Sequence, residues 1–151
     1  MNTYDQAIAR TLITATMHKY AWHAREKADW DKIAECFEAD AIYRLGDGRE
    51  LPPSQAKEVV RGKEAKYIRH NITTINIEFV SDTEARTDAL FFATTEYKVV
   101  DHWGHWVDIF RKQPDGSWLI RERSIRTEGK DPEGWSAKVY ADVPASVPKP
   151  E

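Results

Sequence analysis

Apolar residues in the N-terminal part of the chain recur at helical spacing. The first set follows Thr3-Tyr4-Asp5-Gln6, a sequence that fits a capping box in which Thr3 is the N-cap. Its members are Ile8, Leu12 and Ala15. The pattern therefore predicts a first helix from about Tyr4 to about Arg25.

A second, shorter apolar stripe follows Asp29, whose carboxylate can cap a helix. Its members fall at positions i, i+3, i+4 and i+7, as a single helical face requires, and are Trp30, Ile33, Ala34 and Phe37. A brief strand is predicted at 41–45, ending at the turn formers of 46–48. Pro52-Pro53 then interrupts regular structure, and a short helix is predicted near Ser54 to Ile68, broken at Gly62.

From His70 onward the hydrophobic period changes to two, which is typical of half-buried strands. Further strands are predicted at 84–100, 104–112 and 117–127, separated by turns at 81–83, 101–104 and 113–116. Strands joined by short turns pair antiparallel. The sequence therefore predicts an α+β domain over residues 1–141, an α+β barrel or cone in which a strongly curved sheet wraps around the N-terminal helices. Residues 142–151, with three prolines, are predicted to form a tail that is loose or docked on a neighbouring subunit.

Composition narrows the class of protein. The chain has 151 residues, 41% of them hydrophobic, which is enough for one sizeable core. Lys and Arg total 22 against 25 Asp and Glu, so the whole domain offers no basic footprint for nucleic acid. No stretch approaches the roughly 20 apolar residues of a membrane span, and the N-terminal residues lack the order of a signal peptide. We therefore expect a cytoplasmic protein that binds neither nucleic acid nor membrane.

Cysteine and histidine usage gives few signals for metal or covalent chemistry. The single cysteine, Cys36, lies in an apolar pattern and is expected to be a buried thiol rather than a nucleophile. His102 and His105 could both approach an ion, but no third ligand is evident, so no metal site is expected. Glycine-rich phosphate loops and nucleophile elbows are lacking from the sequence, and we expect chemistry without a cofactor.

Three polar residues are candidates for catalysis, although each has an ordinary structural alternative. His70 begins a strand, and an imidazole has a reference pKa near 6.5 that suits proton transfer at neutral pH. Glu26 lies where the first helix ends, among several other charges. Arg123 alternates with apolar neighbours on the last strand, where it could also be an exposed cross-strand partner.

Several segments together resemble the SnoaL-like branch of the nuclear-transport-factor-like cone fold. They match that family in order and spacing over about residues 5 to 128, and lie at 26–31, 33–37, 39–43, 61–65, 69–74, 104–108, 115–118 and 121–123. Within this family, the resemblance is to the branch that includes proteins similar to scytalone dehydratase, hexachlorocyclohexane dehydrochlorinase and bile-acid dehydratase. The resemblance implies the cone fold, but the same cone carries many reactions and also proteins without activity.

The resemblance also implies roles for particular residues. In that branch a strand histidine is the base, and an aspartate between the first two helices orients it. His70 falls on the histidine, whereas Glu26 stands where the family has aspartate. Arg123 falls on a position that the dehydrochlorinase uses to meet a departing anion.

These roles are chemically coherent. A carboxylate at Glu26 would fix the tautomer of His70 and raise its pKa, and Asp108 is the next candidate for that task. Arg123 with Tyr43 or Tyr20 would stabilise negative charge on an oxygen. The expected substrate-binding residues are Tyr20, Tyr43, Trp22, Phe92, Trp106 and Asp108.

The sequence thus predicts a cofactor-independent lyase or isomerase that acts on a small apolar substrate containing a ring. The alternative is a ligand-binding protein without activity, or a small β-type subunit of a ring-hydroxylating dioxygenase. Exposed apolar residues on the sheet further predict a homodimer or homotrimer.

Overall fold

The computed structural model describes residues 1–144. Its helices are α1 (Thr3–His23), α2 (Trp30–Ala34), a 3₁₀ helix (Pro53–Val60) and α3 (Trp135–Val139). Its strands are β1 (Phe37–Arg44), β2 (Glu50–Leu51), β3 (Ile68–Phe79), β4 (Glu84–Thr95), β5 (His102–Lys112) and β6 (Trp118–Lys130). No helix among these residues is both long enough and apolar enough to cross a membrane.

The long first helix is confirmed, but its cap and its buried face differ from the prediction. Asn2, not Thr3, is the N-cap, and its side chain accepts a hydrogen bond from the Asp5 amide at 2.9 Å. Ile8 and Leu12 are 44% and 37% exposed. The buried stripe is displaced by one position and consists of Ala9, Ile13, Met17 and Tyr20. It repeats every three or four residues, so α1 lays these side chains along one line against the sheet.

The second helix begins as predicted and ends early. Asp29 accepts a hydrogen bond from the Lys32 amide at 3.0 Å, which confirms the cap. Phe37 is buried as the first residue of β1 and not as part of α2. Cys36, between them, is a fully buried thiol as predicted. The helix predicted from Ser54 is a 3₁₀ helix that ends at Val60, and Arg61 follows with φ 48°, a left-handed conformation that terminates it.

The strands form one six-stranded sheet in the order β2-β1-β6-β5-β4-β3. Strand β1 runs parallel to β6, and all other neighbours are antiparallel. The predicted α+β class, with a curved mixed sheet around the N-terminal helix, is confirmed. The sheet is not closed, so the cone is an open one with β2 and β3 at its edges.

The connection between β4 and β5 lies earlier than predicted. Strand β4 ends at Thr95, and β5 already begins at His102, so the expected turn at 101–104 is wrong. Gly104 is instead inside β5, where a Cβ would lie 1.9 Å from the Arg126 carbonyl oxygen of the neighbouring strand. His102 is therefore a strand residue, and the strand fixes the direction of its side chain.

Two irregularities change which side chains face the helix. In β3 the register shifts between Ile72 and Ile75, so His70 and Ile77 face the same side although they are seven residues apart. In β6 the register shifts beside Ile120, opposite Ile109 and Phe110, and Arg123 faces inward as a result. Without these bulges the strict alternation of a strand would turn His70 and Arg123 to the opposite face from the apolar residues that follow or precede them.

The outer face of the sheet carries several apolar side chains. Leu90 and Trp103 are 43% and 41% exposed, and Phe92, Val107 and Ile109 on the same face are partly buried. Of the predicted tail, residues 145–151 lie outside the described part of the chain.

We expect this outer face to be covered by a second copy of the chain, because contiguous exposed apolar surface of this kind mediates association. Sedimentation velocity should give a dimer or trimer at micromolar concentration. The substitution Leu90→Lys should shift the species towards monomer, whereas Val80→Lys, at an exposed position outside this face, should not. A wild-type monomer at that concentration would contradict the expectation.

Candidate functional site

A cavity of about 120 Å³ lies between the C-terminal end of α1, the 3₁₀ helix, the inner face of the sheet and α3. Its wall is largely apolar, made of aliphatic and aromatic side chains, with some polar and charged groups between them. Its ring-bearing members include Tyr20, Tyr43, His70, Phe91, His102 and Trp135. Concave apolar sites with few polar groups are typical of small-molecule binding.

His70 lies on the wall of this cavity, as the sequence predicts for the family histidine. Its ring packs edge-on against Phe91 at 5.3 Å between centroids and lies 5.3 Å from Trp106. Within residues 1–144, its Nδ1 is buried without a hydrogen-bond partner. Burial, together with the positive charge of Arg123 and the nearby ring of His102, lowers the pKa of His70 to about 3.

Glu26 does not contact His70, so the predicted pair is not formed. Its carboxylate accepts hydrogen bonds from the Arg69 guanidinium, at 2.7 Å from Nε, and lies 3.3 Å from Arg25 Nε. The hydrogen bond from Arg69 lowers the pKa of Glu26. Arg69 and His70 are consecutive in a strand and point to opposite faces, so an acid that pairs with Arg69 stays away from His70. The expected rise in the pKa of His70 is therefore wrong.

A different carboxylate holds a different imidazole in the same wall. Asp101 Oδ1 accepts a hydrogen bond from His102 Nδ1 at 2.8 Å, and both residues are buried. The carboxylate also accepts from Thr95 Oγ at 2.8 Å and from the amides of Trp135 and Ser136 at 2.6 and 3.0 Å. Although burial opposes its charge, these hydrogen bonds lower the pKa of Asp101 to about 2. The rings of His102 and His70 lie 5.8 Å apart.

Two tyrosines supply hydroxyl groups to the same wall, as predicted. The hydroxyl oxygens of Tyr20 and Tyr43 are 2.5 Å apart. Burial raises the pKa of both phenols, so both stay protonated at neutral pH. One hydroxyl donates to the other, so a single proton of the pair is used in this hydrogen bond.

Arg123 and Asp108 form an ion pair beneath the cavity rather than in its wall. Both side chains are fully buried, with the Arg123 nitrogens Nε and Nη2 2.9 and 2.6 Å from the two Asp108 oxygens. The guanidinium lies 4.2 Å from the ring centroids of Tyr20 and Trp106. Asp108 is thus occupied by Arg123 and does not orient His70. Trp106 packs behind His70 and is not part of the cavity wall.

Two further predicted substrate-binding residues lie elsewhere. Trp22 is 58% exposed near the end of α1, with the Arg25 guanidinium over its ring at 3.3 Å. Phe92 is on the outer face of the sheet because its neighbour Phe91 faces the cavity and strand side chains alternate. The side chain that the sequence pattern should have indicated is therefore Phe91.

The two histidines of β5 cannot bind the same metal ion. His102 faces inward, whereas His105 faces outward and contacts Asp88 Oδ1 at 2.8 Å. In residues 1–144 no cluster of three or more His, Cys, Asp or Glu side chains has the spacing of a metal site.

His102 and Asp101 are the site residues that the sequence prediction missed. They are adjacent in the chain, but they were placed in a turn, where side-chain direction is not predictable. The signal that identifies them is the buried Asp-His pair at the start of a strand. Residues of α3, which the sequence did not predict, complete their surroundings.

A model of the SnoaL-like domain family matches residues 5–124 of the chain. No curated protein sequence matches this chain. A protein from Novosphingobium aromaticivorans, provisionally named a scytalone dehydratase, superposes with a TM-score of 0.73 at 20% identity over 86% of this chain and 91% of that one. The hexachlorocyclohexane dehydrochlorinase LinA-type3 from Novosphingobium barchaimii gives 0.72 at 16% identity over 86% and 93%.

A protein of unknown function from Mycobacterium tuberculosis is also similar, with a TM-score of 0.71 at 24% identity over 84% of this chain and 76% of that one. At these identities the superpositions establish a shared fold and not a shared reaction.

The Arg123–Asp108 pair makes a prediction about stability. Arg123→Met should lower the free energy of unfolding by about 3–5 kcal/mol, because it leaves a buried carboxylate without a partner. Arg121→Met is the matched control, since Arg121 pairs with the 80% exposed side chain of Asp40 and should cost at most about 1 kcal/mol. Urea unfolding of both variants provides the measurement. Equal losses of unfolding free energy in the two variants would show that the buried pair stabilises the fold no more than the exposed pair does.

His70 makes a second prediction, about pH. Its pKa is about 3 in the folded chain and 6.5 in its ordinary state, so between these values the unfolded chain binds more protons. The free energy of unfolding should therefore fall as the pH falls from 6.5 towards 3, by at most about 1.4 kcal/mol per pH unit from this residue. His70→Gln should reduce this slope, whereas His18→Gln, on the exposed face of α1, should leave it unchanged. Urea unfolding at about pH 7, 5.5 and 4.5 measures the slope, and parallel curves for wild type and His70→Gln would refute the assignment.

Proposed function

The chain belongs to the SnoaL-like domain family, and we propose that it is a cofactor-independent lyase or isomerase that moves a proton of a small ring-containing substrate inside the cavity. The observation that carries this proposal is the pair of imidazoles, His70 and His102, on one aromatic wall, with the ring of His102 held by a buried carboxylate. A site that only binds a ligand needs no imidazole held by a carboxylate. Proton transfer at neutral pH, by contrast, needs a side chain such as imidazole that can accept and release a proton.

The reaction begins at a carbon next to a carbonyl group. An imidazole nitrogen accepts the proton, the C–H bond breaks, and its electron pair moves to the carbonyl oxygen as an enolate. In an isomerase the imidazolium returns the proton to another carbon. In a lyase the enolate expels a β-hydroxyl group, which takes the same proton and leaves as water. Both sequences balance without an oxidant or a reductant.

The hydroxyl pair of Tyr20 and Tyr43 stabilises the oxygen that becomes negative. Both phenols are protonated and fixed by the hydrogen bond between them, so the free proton of the pair is ready to bind an enolate oxygen. Arg123 contributes through its positive charge below Tyr20 and makes no contact with the ligand. Glu26 belongs to a surface ion pair and takes no part.

Cavity volume limits the substrate. The volume of about 120 Å³ is of the same order as that of an engineered protein cavity of about 150 Å³ known to admit benzene, so a small substrate with a single ring is the appropriate size. The apolar part of the wall, with its aliphatic and aromatic side chains, favours an apolar ring, and the hydroxyl pair favours a carbonyl group on that ring. The provisional name of one structural neighbour is a dehydratase and the name of another is a dehydrochlorinase, which supports elimination as the type of reaction.

The test uses two small ring ketones. Proton NMR in D₂O measures deuterium exchange at the carbon next to the carbonyl of cyclohexanone, and absorbance measures the conversion of 3-hydroxycyclohexanone into cyclohexenone. Wild type should accelerate at least one of these reactions by on the order of 10²-fold or more over buffer. The double variant His70→Gln/His102→Gln should lose the acceleration while its circular dichroism and unfolding curve stay those of a folded protein.

Two outcomes would overturn the proposal. If the double variant is as active as wild type, the imidazoles are not the acceptors. If both ketones bind, as judged by chemical-shift changes of the protein, but neither reacts, the cavity is that of a ligand-binding protein, which is the alternative that the sequence left open.

A further inference from the structure

We infer that His102, and not His70, accepts the proton, and that Asp101 is the positioning residue that prepares it. This inference rests on the proposed function and assigns its central step to a pair of adjacent residues at the start of β5. It also places α3 in the site, because the same carboxylate fixes the start of that helix.

Asp101 is held as an anion by four hydrogen bonds from three directions. Thr95 approaches from the end of β4, His102 from β5, and the amides of Trp135 and Ser136 from α3. All of these groups donate, because an ionised carboxylate can only accept. The side chain of Asp101 is completely buried, so its orientation is fixed before a ligand arrives.

This arrangement selects one tautomer of His102. Since Asp101 Oδ1 accepts at 2.8 Å, His102 Nδ1 carries the hydrogen and Nε2 carries the lone pair. The carboxylate then stabilises the imidazolium that forms when Nε2 takes up a proton. His102 lines the cavity, so the group prepared in this way is in reach of a ligand.

His70 also lines the cavity but, within residues 1–144, lacks the carboxylate partner. Its Nδ1 has no partner among the described residues, and no carboxylate lies beside it to stabilise a positive charge. Arg123 adds a positive charge near His70, whereas the carboxylate of Asp101 contacts His102. The cavity is also lined by the titratable or charged residues Tyr20, Arg25, Lys27, Tyr43, Glu64, Lys130 and Tyr140, of which only Glu64 is an acid. His70 therefore stays neutral and contributes a hydrogen-bonding edge and a ring contact.

Gly134 is the residue that lets α3 approach Asp101. A Cβ at this position would lie 2.7 Å from Asp101 Oδ2 and 2.9 Å from its Cγ, which is closer than real Cβ contacts. The backbone there has an ordinary extended conformation, with φ −72° and ψ 167°, so the requirement for glycine is one of space and not of backbone strain. Gly134→Ala therefore displaces the carboxylate without removing any polar group.

The test combines a spectroscopic readout with the ketone assays above. Long-range ¹H–¹⁵N NMR should show His102 protonated on Nδ1 in wild type. Asp101→Asn should invert the tautomer to Nε2–H, because an amide can donate to Nδ1, and should lower the rate on the order of 10²-fold or more with little change in KM. Gly134→Ala should also lower the rate, and it serves if Asp101→Asn does not fold.

Asp88→Asn is the matched control. Asp88 contacts His105 Nδ1 at the same distance of 2.8 Å, but on the outer face of β5, away from the cavity. This variant should change the tautomer of His105 and leave the rate unchanged. A general effect of removing a carboxylate from the sheet would lower the rate in both variants.

The outcomes separate this inference from the proposed function. If His70→Gln abolishes the acceleration while His102→Gln and Asp101→Asn retain it, the protein is a proton-transfer enzyme and the assignment to His102 is wrong. A wild-type His102 protonated on Nε2 would equally overturn the inference. If wild type accelerates neither reaction, the proposed function fails, and the catalytic assignment fails with it.

Discussion

The buried ion pair between Arg123 and Asp108 joins the elements that form the cavity. It connects β5 to β6, and the guanidinium is enclosed by the rings of Tyr20 from α1 and Trp106 from β5. Tyr20 in turn meets Tyr43 of β1 through their hydroxyl groups. A buried charge is tolerated only when it is paired, so this contact constrains how α1 lies on the sheet. The floor of the cavity is a consequence of that constraint.

The Arg123–Asp108 pair also affects which carboxylates can contact the imidazoles of the site. Because Asp108 is committed to Arg123 and Glu26 to Arg69, neither acid is free to serve His70. The positive charge of Arg123 and the apolar rings around His70 then keep this imidazole neutral. The imidazole of His102, on the inner face, is instead held by Asp101, whose carboxylate also accepts hydrogen bonds from the amides of α3. The hydrogen-bonded pair of Asp101 and His102 therefore lies at the start of β5, where the cavity wall meets α3.

This arrangement also explains why the fold alone gives little information about the reaction. Structural neighbours with 16–24% identity share the cone, yet the groups that matter are a few side chains on its inner wall. Glu26, in the loop after α1, pairs with Arg69 and not with His70. The carboxylate that does contact an imidazole of the cavity wall is that of Asp101. Residue identity at a family position is therefore weaker evidence than a hydrogen bond.

Features that depend on local spacing could be predicted from the sequence. Periodicity fixed the long first helix and the meander of strands, and Asp29 was identified as a cap because capping involves residues only three apart. The family resemblance indicated His70, and the need to stabilise negative charge on an oxygen indicated Tyr20 and Tyr43; all three line the cavity. The tertiary structure decided everything that depends on a register shift or a distant partner. The bulges in β3 and β6 reverse the alternation and turn His70 and Arg123 inward, and no period of two can foresee an added residue. Asp101 meets α3 across more than thirty residues of chain, and Glu26 meets Arg69 across more than forty, so which acid orients which base was settled only when the sheet and helices packed together.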